Sequence, residues 1–289
     1  MRIATFSIVA CDTSTHSWGV AVASKFLAVG AYVPYAQAAA GAVATQALAN
    51  LSYGPDALAR LAAGESAEQV VAALTAADPG HEERQLGIVD AQGRAATFTG
   101  RKCMDWAGGI TGPSYAAQGN LLAGPEVVLA MGEAFSATRG DLASRLLAAL
   151  AAGDAVGGDR RGRQGSALYV VRPAGGYGGF NDVVVDLRVD DHPHPVTELQ
   201  RLLGLHRLYF GATPAAEKLV IDRALTRELQ ALARAAGTYL GDIDGEWDDD
   251  TRDALRALTG AENLEERIDL THATIDPPAL EALRERFGP

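Results

Sequence analysis

TFSIVA at residues 5–10 and GVAVAS at residues 19–24 are the two stretches that decide the fold of this chain. Both are short, β-prone runs of mostly small residues, and the polar segment 12–17 between them predicts a hairpin loop. Small side chains on neighbouring strands are typical of a sheet that is covered on both faces and closely packed. The pattern therefore predicts a β-hairpin inside a layered domain.

Groups of strands and groups of helices alternate after this hairpin. Leucines at helical spacing over 44–63 predict two helices divided at Gly54-Pro55, and another helix runs from its N-cap Ser66 to Leu74. The elements expected next are strands at 85–90, 94–99 and 115–118, helices at 125–136 and 141–152, and strands at 168–172 and 182–188. This order favours an α+β sandwich over a run of regular βαβ units.

The composition changes after DDHPHP at 190–195, and the remaining chain is helical and charged. We expect a first domain over 1–205, a linker at 206–213 and a small all-α module over 214–289. One long helix is predicted at 214–236 and shorter ones at 251–258, capped by Thr251, and 277–287. The predicted core of the module is Leu219, Leu225, Leu229, Leu232, Leu255, Leu258, Leu280 and Leu283, with Trp247 as a structural residue near the turn.

Charge and hydropathy exclude several classes of function. The formal net charge of −11 argues against a general nucleic-acid binder, because phosphate contacts need a basic face. No apolar run approaches the ~20 residues that cross a bilayer, and the N-terminus does not resemble a secretory signal. Cys11 and Cys103 are too few for a disulfide framework. These features predict a cytoplasmic protein that contacts neither nucleic acid nor membrane.

Two clusters have metal-binding residue types without a full ligand set. His192 and His194 flank Pro193, but no third ligand is evident. The acidic residues within 242–250 lack the spacing and the terminal Glu of a calcium loop, and are expected to form a solvated turn. We therefore expect no metal and no other cofactor.

Amides and guanidinium groups supply the candidate binding residues. Gln118-Gly119-Asn120 ends a strand with a glycine between two amides, which suits an oxyanion hole, although Asn120 could equally cap a turn. GGDRRGRQ at 157–164 combines flexible glycines with guanidinium forks that grip carboxylates. The structural alternative pairs Asp159 with an arginine. Gln46 lies at a predicted helix start, where Thr45 may serve only as a cap.

Seven blocks resemble domain-of-unknown-function family 1028, in order from Thr5 to about Val196. They are TFSIVA…GVAVASKFLAVGA, GAVATQALAN, RQLGIVDAQG, ATFTGRKCMDWAGG, AQGNLLAG, GGDRRGRQGSAL and DLRVDDHPHPV, with Gly165 as a departure from the pattern. Members of that family resemble N-terminal-nucleophile (Ntn) hydrolases, so the resemblance implies a four-layer αββα sandwich. The tail, about 223–287, is similar to a peptidoglycan-binding module sometimes fused to this family.

The resemblance to Ntn hydrolases implies a nucleophile at Thr5. Such enzymes use the hydroxyl of an N-terminal residue, with its own α-amine, of pKa about 7.7–8.0, as base. Arg2 should block simple removal of Met1, so exposing Thr5 requires cleavage after Ala4. The resemblance places Lys25 beside Thr5 at one sheet edge, to lower its pKa or to hold a substrate carboxylate. The simpler alternatives are a strand threonine and a solvent-facing lysine.

The leading hypothesis is an Ntn-type hydrolase of small amides, such as acyl-amino acids or short peptides. The candidate catalytic residues are Thr5, Lys25, Asn120 and Asp159, and the candidate substrate-binding residues are Gln46, Gln118, Arg160, Arg163 and Gln164. One cleft is expected to gather Thr5, Lys25, Asn120 and one or more of Asp159, Arg160 and Arg163. The alternative is a non-catalytic binding or assembly protein on the same scaffold. A homodimer is expected through leucines 199, 202, 203 and 205 of the segment 194–210. The tail would bind peptidoglycan or a protein, and its acidic turn favours a protein.

Overall fold

The structure is a computed structural model that describes residues 5–288, and it divides into two compact units, Met1–Leu203 and Gly204–Pro289. The first unit contains, in chain order, β1 (Phe6–Asp12), β2 (Ser17–Ser24), β3 (Pro34–Gln37), β4 (Gly41–Ala47), α1 (Tyr53–Ala62), α2 (Ala67–Ala77), β5 (Arg84–Asp90), β6 (Ala95–Thr99), β7 (Gly108–Gly112), β8 (Tyr115–Gly119), α3 (Glu126–Ala137), α4 (Leu142–Ala155), β9 (Gly165–Val171) and β10 (Val183–Val189). The helix α5 (Pro195–Phe210) includes the boundary between the units.

Two antiparallel sheets form the framework of the first unit. The six-stranded sheet has the order β10-β9-β2-β1-β8-β7, and the four-stranded sheet has the order β3-β4-β5-β6. The hairpin β1–β2 occupies the middle of the larger sheet, with Phe6 opposite Ala23 on one side and Gly119 on the other. Every side chain of these two central strands except Asp12 is therefore buried.

Three apolar clusters lie on the faces of these sheets. The first joins Phe6 and Ile8 of β1 to the helices α3 and α4. The second lies between the sheets, where Val9 of β1 and Val20 of β2 meet the small residues of β4. The third joins the outer face of the four-stranded sheet to α1 and α2. Side chains alternate across a strand, so odd-numbered residues of β1 face the other sheet and even-numbered ones face the helices.

The mixed α/β class is confirmed, and so are most elements of the first unit. The predicted hairpin forms β1 and β2, and the predicted strand pair at 85–99 forms β5 and β6. Ser66 caps α2 through a capping box with Gln69, in which each side chain bonds the other's backbone N–H. The Ser66 cap and the β-prone runs of these four strands were therefore reliable local signals.

The prediction of two helices over 44–63 is wrong. Thr45 and Gln46 lie in β4, and only the second predicted helix exists, as α1. The small residues Gly41, Ala42 and Ala44 fit between the sheets, and β4 pairs with both β3 and β5. This tertiary pairing overrides the local helical spacing of the leucines.

The second unit has its own helices and a small sheet. It contains β11 (Leu219–Val220), α6 (Arg223–Ala235), α7 (Asp249–Ala261), β12 (Ile268–Asp269), β13 (Thr274–Ile275) and α8 (Pro277–Phe287), with the strands in the order β11-β13-β12. Six of the predicted core leucines are buried, at 229, 232, 255, 258, 280 and 283. Trp247 is partly buried against this cluster, as expected of a structural residue.

Several boundaries in the second unit differ from the prediction. Residues 206–210, predicted as linker, belong to α5, and the predicted helix 214–236 begins only at Arg223. Leu219 lies in β11 and is exposed, because its strand pairs only with β13 at the rim of the small sheet. Asp248, not Thr251, caps α7, since its carboxylate accepts the backbone N–H of Thr251.

Two of the four leucines expected at a dimer contact lie in the core of their own chain. Leu199 and Leu203 are buried in the helix-facing cluster of the first unit, and Leu202 packs against it. The homodimer stays a prediction. Over residues 5–288, every helix is too short or too polar to span a membrane.

We predict that Gly87→Ala destabilises the first unit by about 1–3 kcal/mol. Gly87 lies in β5 facing the other sheet, and a methyl group there would overlap the side-chain amide of Gln118. Urea unfolding measures the change. Gly204→Ala is the matched control, since its methyl group meets open space on α5 and should stabilise by up to about 1 kcal/mol. Equal stability of Gly87→Ala and the wild type would show that the sheets are loosely packed here.

Candidate active site

A cluster of buried polar side chains lies between the two sheets at the end where β1 begins. We call it the inter-sheet polar cluster, and its members are Thr5, Ser7, Gln46, Gln85, Gln118 and Asn120. Each is at most 1% exposed. Four strands contribute to it, so residues far apart in the sequence meet at one place. Burial of this many polar groups is tolerated only where they bond to one another.

Thr5 is held at the start of β1 by its backbone and its hydroxyl. Its Oγ1 donates to Ser24 Oγ at 3.1 Å, across the hairpin. Its carbonyl oxygen accepts from the backbone N–H of Asn120 at 3.0 Å and from Gln46 Nε2 at 3.3 Å. The hydroxyl therefore faces the space between the sheets in a single, well-defined position.

Gln85 fixes the orientation of the other amides. Its Nε2 donates to the carbonyl oxygens of Gly108 at 3.2 Å and Gly119 at 2.7 Å, and a carbonyl can only accept. Its Oε1 is therefore the acceptor, and it receives Gln46 Nε2 and Asn120 Nδ2, each at 2.9 Å. The amide orientation of Asn120 follows from that of Gln85.

The Asn120 amide uses one of its hydrogens and leaves its oxygen unpaired. Its Nδ2 donates one of its two hydrogens to Gln85, whereas its Oδ1 is buried without a hydrogen-bond partner among the described residues. The predicted role of Asn120 in an oxyanion hole stays a prediction. Gln118 behaves similarly: its Nε2 donates to the carbonyl oxygen and the hydroxyl of Ser7, which leaves its Oε1 unpaired.

A small recess borders this end of the cluster. It is lined by Ala47, Leu48, Glu83, Lys102, Cys103, Met104 and Asn120. Backbone bonds from Leu48 to Glu83 and from Leu121 to Met104 hold its walls together. We call it the Asn120 recess. Its volume of about 10 Å³ is roughly the space that one water molecule needs.

Asp159 organises the loop around it. Its side chain is 1% exposed and accepts from the backbone N–H groups of Lys25 at 2.9 Å and Arg161 at 3.0 Å. The Arg161 guanidinium adds two more bonds, at 3.0 and 2.7 Å. These four bonds match the structural alternative, in which Asp159 pairs with an arginine, and the catalytic role stays a prediction.

Lys25 and the arginine block reach the same end of the sheet without contacting Thr5. Lys25 Nζ is exposed and donates to the carbonyl oxygen of Arg163 at 3.2 Å. The side chains of Arg163 and Gln164 bond Asp154 and Asp191, respectively. Arg160 is exposed, and its guanidinium has no ion pair with another described residue. Thr5 and Lys25 were expected side by side at a sheet edge. They lie instead at the ends of the two central strands, β1 and β2.

The loop 157–164 nevertheless belongs to this neighbourhood. The backbone N–H of Gln164 donates to the backbone carbonyl oxygen of Ser24 at 3.1 Å. The backbone N–H of Arg160 donates to the backbone carbonyl oxygen of Leu121, also at 3.1 Å. The predicted residues therefore converge on one end of the first unit. Thr5, Gln46, Gln118 and Asn120 share the inter-sheet cluster, whereas Lys25, Asp159, Arg160, Arg163 and Gln164 form the loop beside it.

The remaining candidates carry no site of their own. Burial raises the pKa of the Cys11 thiol to about 11, so it is protonated and inert near neutral pH. His192 Nδ1 accepts the backbone N–H of His194, which is a local turn contact. Within residues 5–288, no group of three or more His, Cys, Asp and Glu side chains is placed to hold a metal ion.

Ser7, Ser24 and Gln85 are the functional candidates that sequence reasoning missed. Hairpin register places Ser24, not Lys25, directly beside Thr5. Gln46 and Gln85 are the single amides of β4 and β5, and they lie directly opposite each other. A polar residue interrupting a buried strand was therefore the signal available in the sequence.

The chain matches known proteins in two segments. Residues 5–199 match the model "Family of unknown function (DUF1028)", and residues 211–283 match a model described as "Putative peptidoglycan binding domain". A crystal structure of a Silicibacter pomeroyi protein of the DUF1028 family is 35% identical, with a TM-score of 0.65, over 72% of this chain and 91% of that one. No curated protein matches. The chain belongs to the DUF1028 family of unknown function.

Proposed function

We propose that the first unit is an Ntn-type amidohydrolase that acts on small amides such as acyl-amino acids or short peptides. The observation that carries the proposal is the placement of Thr5, whose hydroxyl faces the space between two sheets and bonds Ser24. The packing order of the layers supports the proposal. The layers are α3 with α4, then the larger sheet, then the smaller sheet, and then α1 with α2. A four-layer αββα sandwich, which the family resemblance implies, is part of this proposal.

The proposed reaction begins with cleavage of the bond between Ala4 and Thr5. The free α-amine of Thr5 then takes the proton of its own hydroxyl, and Oγ1 attacks the carbonyl carbon of the substrate amide. The C–N bond breaks, the protonated amine leaves, and an ester remains on Thr5. Water hydrolyses this ester and restores the hydroxyl. Both halves of the reaction use the same nucleophile and base.

The neighbours of Thr5 position it for this chemistry. Ser24 orients Oγ1, while Asn120 and Gln46 hold the Thr5 carbonyl and so fix the backbone that carries the amine. Lys25 follows Ser24 and contributes a positive charge near the strand end. Preorganised geometry of this kind accounts for a large share of catalysis, because misplacement by about 1 Å can cost 10²-fold in rate.

The alternative is a non-catalytic binding or assembly protein. Thr5 is fully buried and its hydroxyl is already bonded, which favours a structural threonine. Asp159 likewise has only structural partners. The two hypotheses differ in whether the chain is processed and turns over an amide.

We predict that mature protein begins at Thr5 and that Thr5→Ala lowers kcat for small amides by about 10⁴-fold or more, because no other hydroxyl replaces the nucleophile. Intact-mass measurement and N-terminal sequencing test the first part, and a fluorogenic acyl-amide panel tests the second. Thr15→Ala, in the exposed hairpin loop, is the matched control and should retain activity. Unprocessed wild-type protein without turnover would support the binding hypothesis.

We predict that Ser24→Ala lowers kcat by about 10- to 100-fold with little change in KM. The substitution removes the partner of Thr5 Oγ1, so it misplaces the nucleophile rather than a substrate contact. Steady-state kinetics measure both parameters. Ser14→Ala, in the exposed loop, is the control. A change in KM alone would contradict the positioning role of Ser24.

The second unit, which matches the peptidoglycan-binding model, is proposed to dock on a protein. Its exposed carboxylates at 242, 244 and 248–250 would repel an anionic wall polymer. Asp244 and Asp248 are also used internally, by Gln230 and by the cap of α7. Peptidoglycan stays the rival partner. A homodimer and a cytoplasmic location remain predictions, and light scattering tests the former.

We predict that deleting residues 214–289 leaves retention on purified sacculi unchanged, because the acidic turn does not favour wall binding. Co-sedimentation of the intact and truncated chains with sacculi measures this. The controls are two variants of the intact chain, Asp249→Asn and Asp253→Asn. Each removes one negative charge, so the pair measures how much non-specific charge repulsion contributes. Retention shown by the intact chain and lost on truncation would restore wall binding.

A further inference from the structure

We infer that two copies of this chain pair antiparallel through the edge strand β10, which continues the six-stranded sheet across a two-fold axis at Leu187. The inference names a surface for the homodimer expected above and is independent of the proposed hydrolysis. The partner is a second copy, because in one register the strand is complementary in charge to itself.

The edge position of β10 is the first argument. Among the described residues β10 pairs only with β9, so the backbone N–H and C=O groups on its other side face no strand. Its seven residues, VVVDLRV, include neither glycine nor proline. The other edge strands of the two sheets, β7, β3 and β6, are shorter, with five, four and five residues. A long apolar edge strand is a template for pairing with another chain.

The two faces of β10 differ in chemistry. Val185 and Val189 are buried in the helix-facing cluster, and Leu187 between them is partly buried against it. Side chains alternate along a strand, so Asp186 and Arg188 lie on the opposite face. They are 39% and 44% exposed and form an ion pair at 2.9 Å. Each copy therefore presents one negative and one positive charge, two residues apart, along its edge.

Charge selects the register of an antiparallel pair of β10 strands. In a two-fold pair, each contact is made twice. With the axis at Leu187, Asp186 of each copy lies opposite the partner's Arg188, and the two Leu187 side chains meet on the other face. An axis at Asp186 or at Arg188 would instead place two like charges directly opposite each other, which is destabilising.

The two ends of β10 exclude the remaining registers. An axis at Val185 would require pairing by the bulge between Val183 and Val185, where the register with β9 shifts. An axis at Val189 would pair residues beyond the end of the strand, where the carbonyl oxygen of Asp190 already accepts the backbone N–H of Ala28 at 3.0 Å. The axis in the middle of the regular part of β10 is the one that charge and backbone geometry both favour.

The test is a charge swap across the axis in the full chain, measured by sedimentation equilibrium. Arg188→Asp leaves four negative charges at the axis, and Asp186→Arg leaves four positive ones. We expect each variant to weaken self-association by about 10-fold or more, because two attractive cross-strand pairs become repulsive. An equimolar mixture of the two variants should dimerise again, and the chain with both substitutions should dimerise like the wild type.

Arg60→Asp is the matched control, because Arg60 is exposed on α1, pairs with Glu65 and undergoes the same change of charge. It should leave self-association unchanged, and circular dichroism checks that each variant is folded. A dimeric wild type that is insensitive to both swaps, or a mixture that stays monomeric, would overturn this interface and keep the homodimer. A wild type that is monomeric at high micromolar concentration would reject both. Each of these outcomes leaves the proposed hydrolysis to its own tests.

Discussion

Two sheets that pack face to face can bury polar side chains only where each finds a partner, and the first unit depends on how Gln85 meets this requirement. Its Nε2 bonds two main-chain carbonyls of the facing sheet, and its Oε1 gathers the amides of Gln46 and Asn120. One side chain therefore ties β4, β5 and β8 together. Through Gln46 and Asn120 it also fixes the carbonyl of Thr5, so the stability of the layers and the placement of the candidate nucleophile have the same origin.

The loop 157–164 connects α4 to β9 at the same end of the unit. The buried carboxylate of Asp159 organises this loop by accepting hydrogen bonds from the backbone N–H groups of Lys25 and Arg161. Removing that carboxylate would leave several donors buried without acceptors. The arginines that resemble an anion-binding block consequently serve the loop, except for the exposed Arg160.

The sequence could predict most elements but not their partners. The cap Ser66 and β-prone runs such as β5 are local signals, and they appear where expected. The strand β4 was mistaken for a helix because its stability comes from pairing with β3 and β5, which no local pattern records. Lys25 was predicted to lie beside Thr5, but the residue beside Thr5 is Ser24, one position earlier. A shift of one residue in a strand moves a side chain to the other face of the sheet. Thr5, Gln46 and Asn120 were found, whereas Gln85 was missed because its role depends on a facing sheet.

Two oxygens of the inter-sheet polar cluster have no hydrogen-bond partner among the described residues. Gln118 Oε1 lies over Gly87, between β5 and β8, where an added methyl group would collide with it. Asn120 Oδ1 is buried as well. A buried acceptor without a donor costs about 1–3 kcal/mol. The close approach of the two sheets at this end is therefore reached with two acceptors that no neighbouring side chain satisfies.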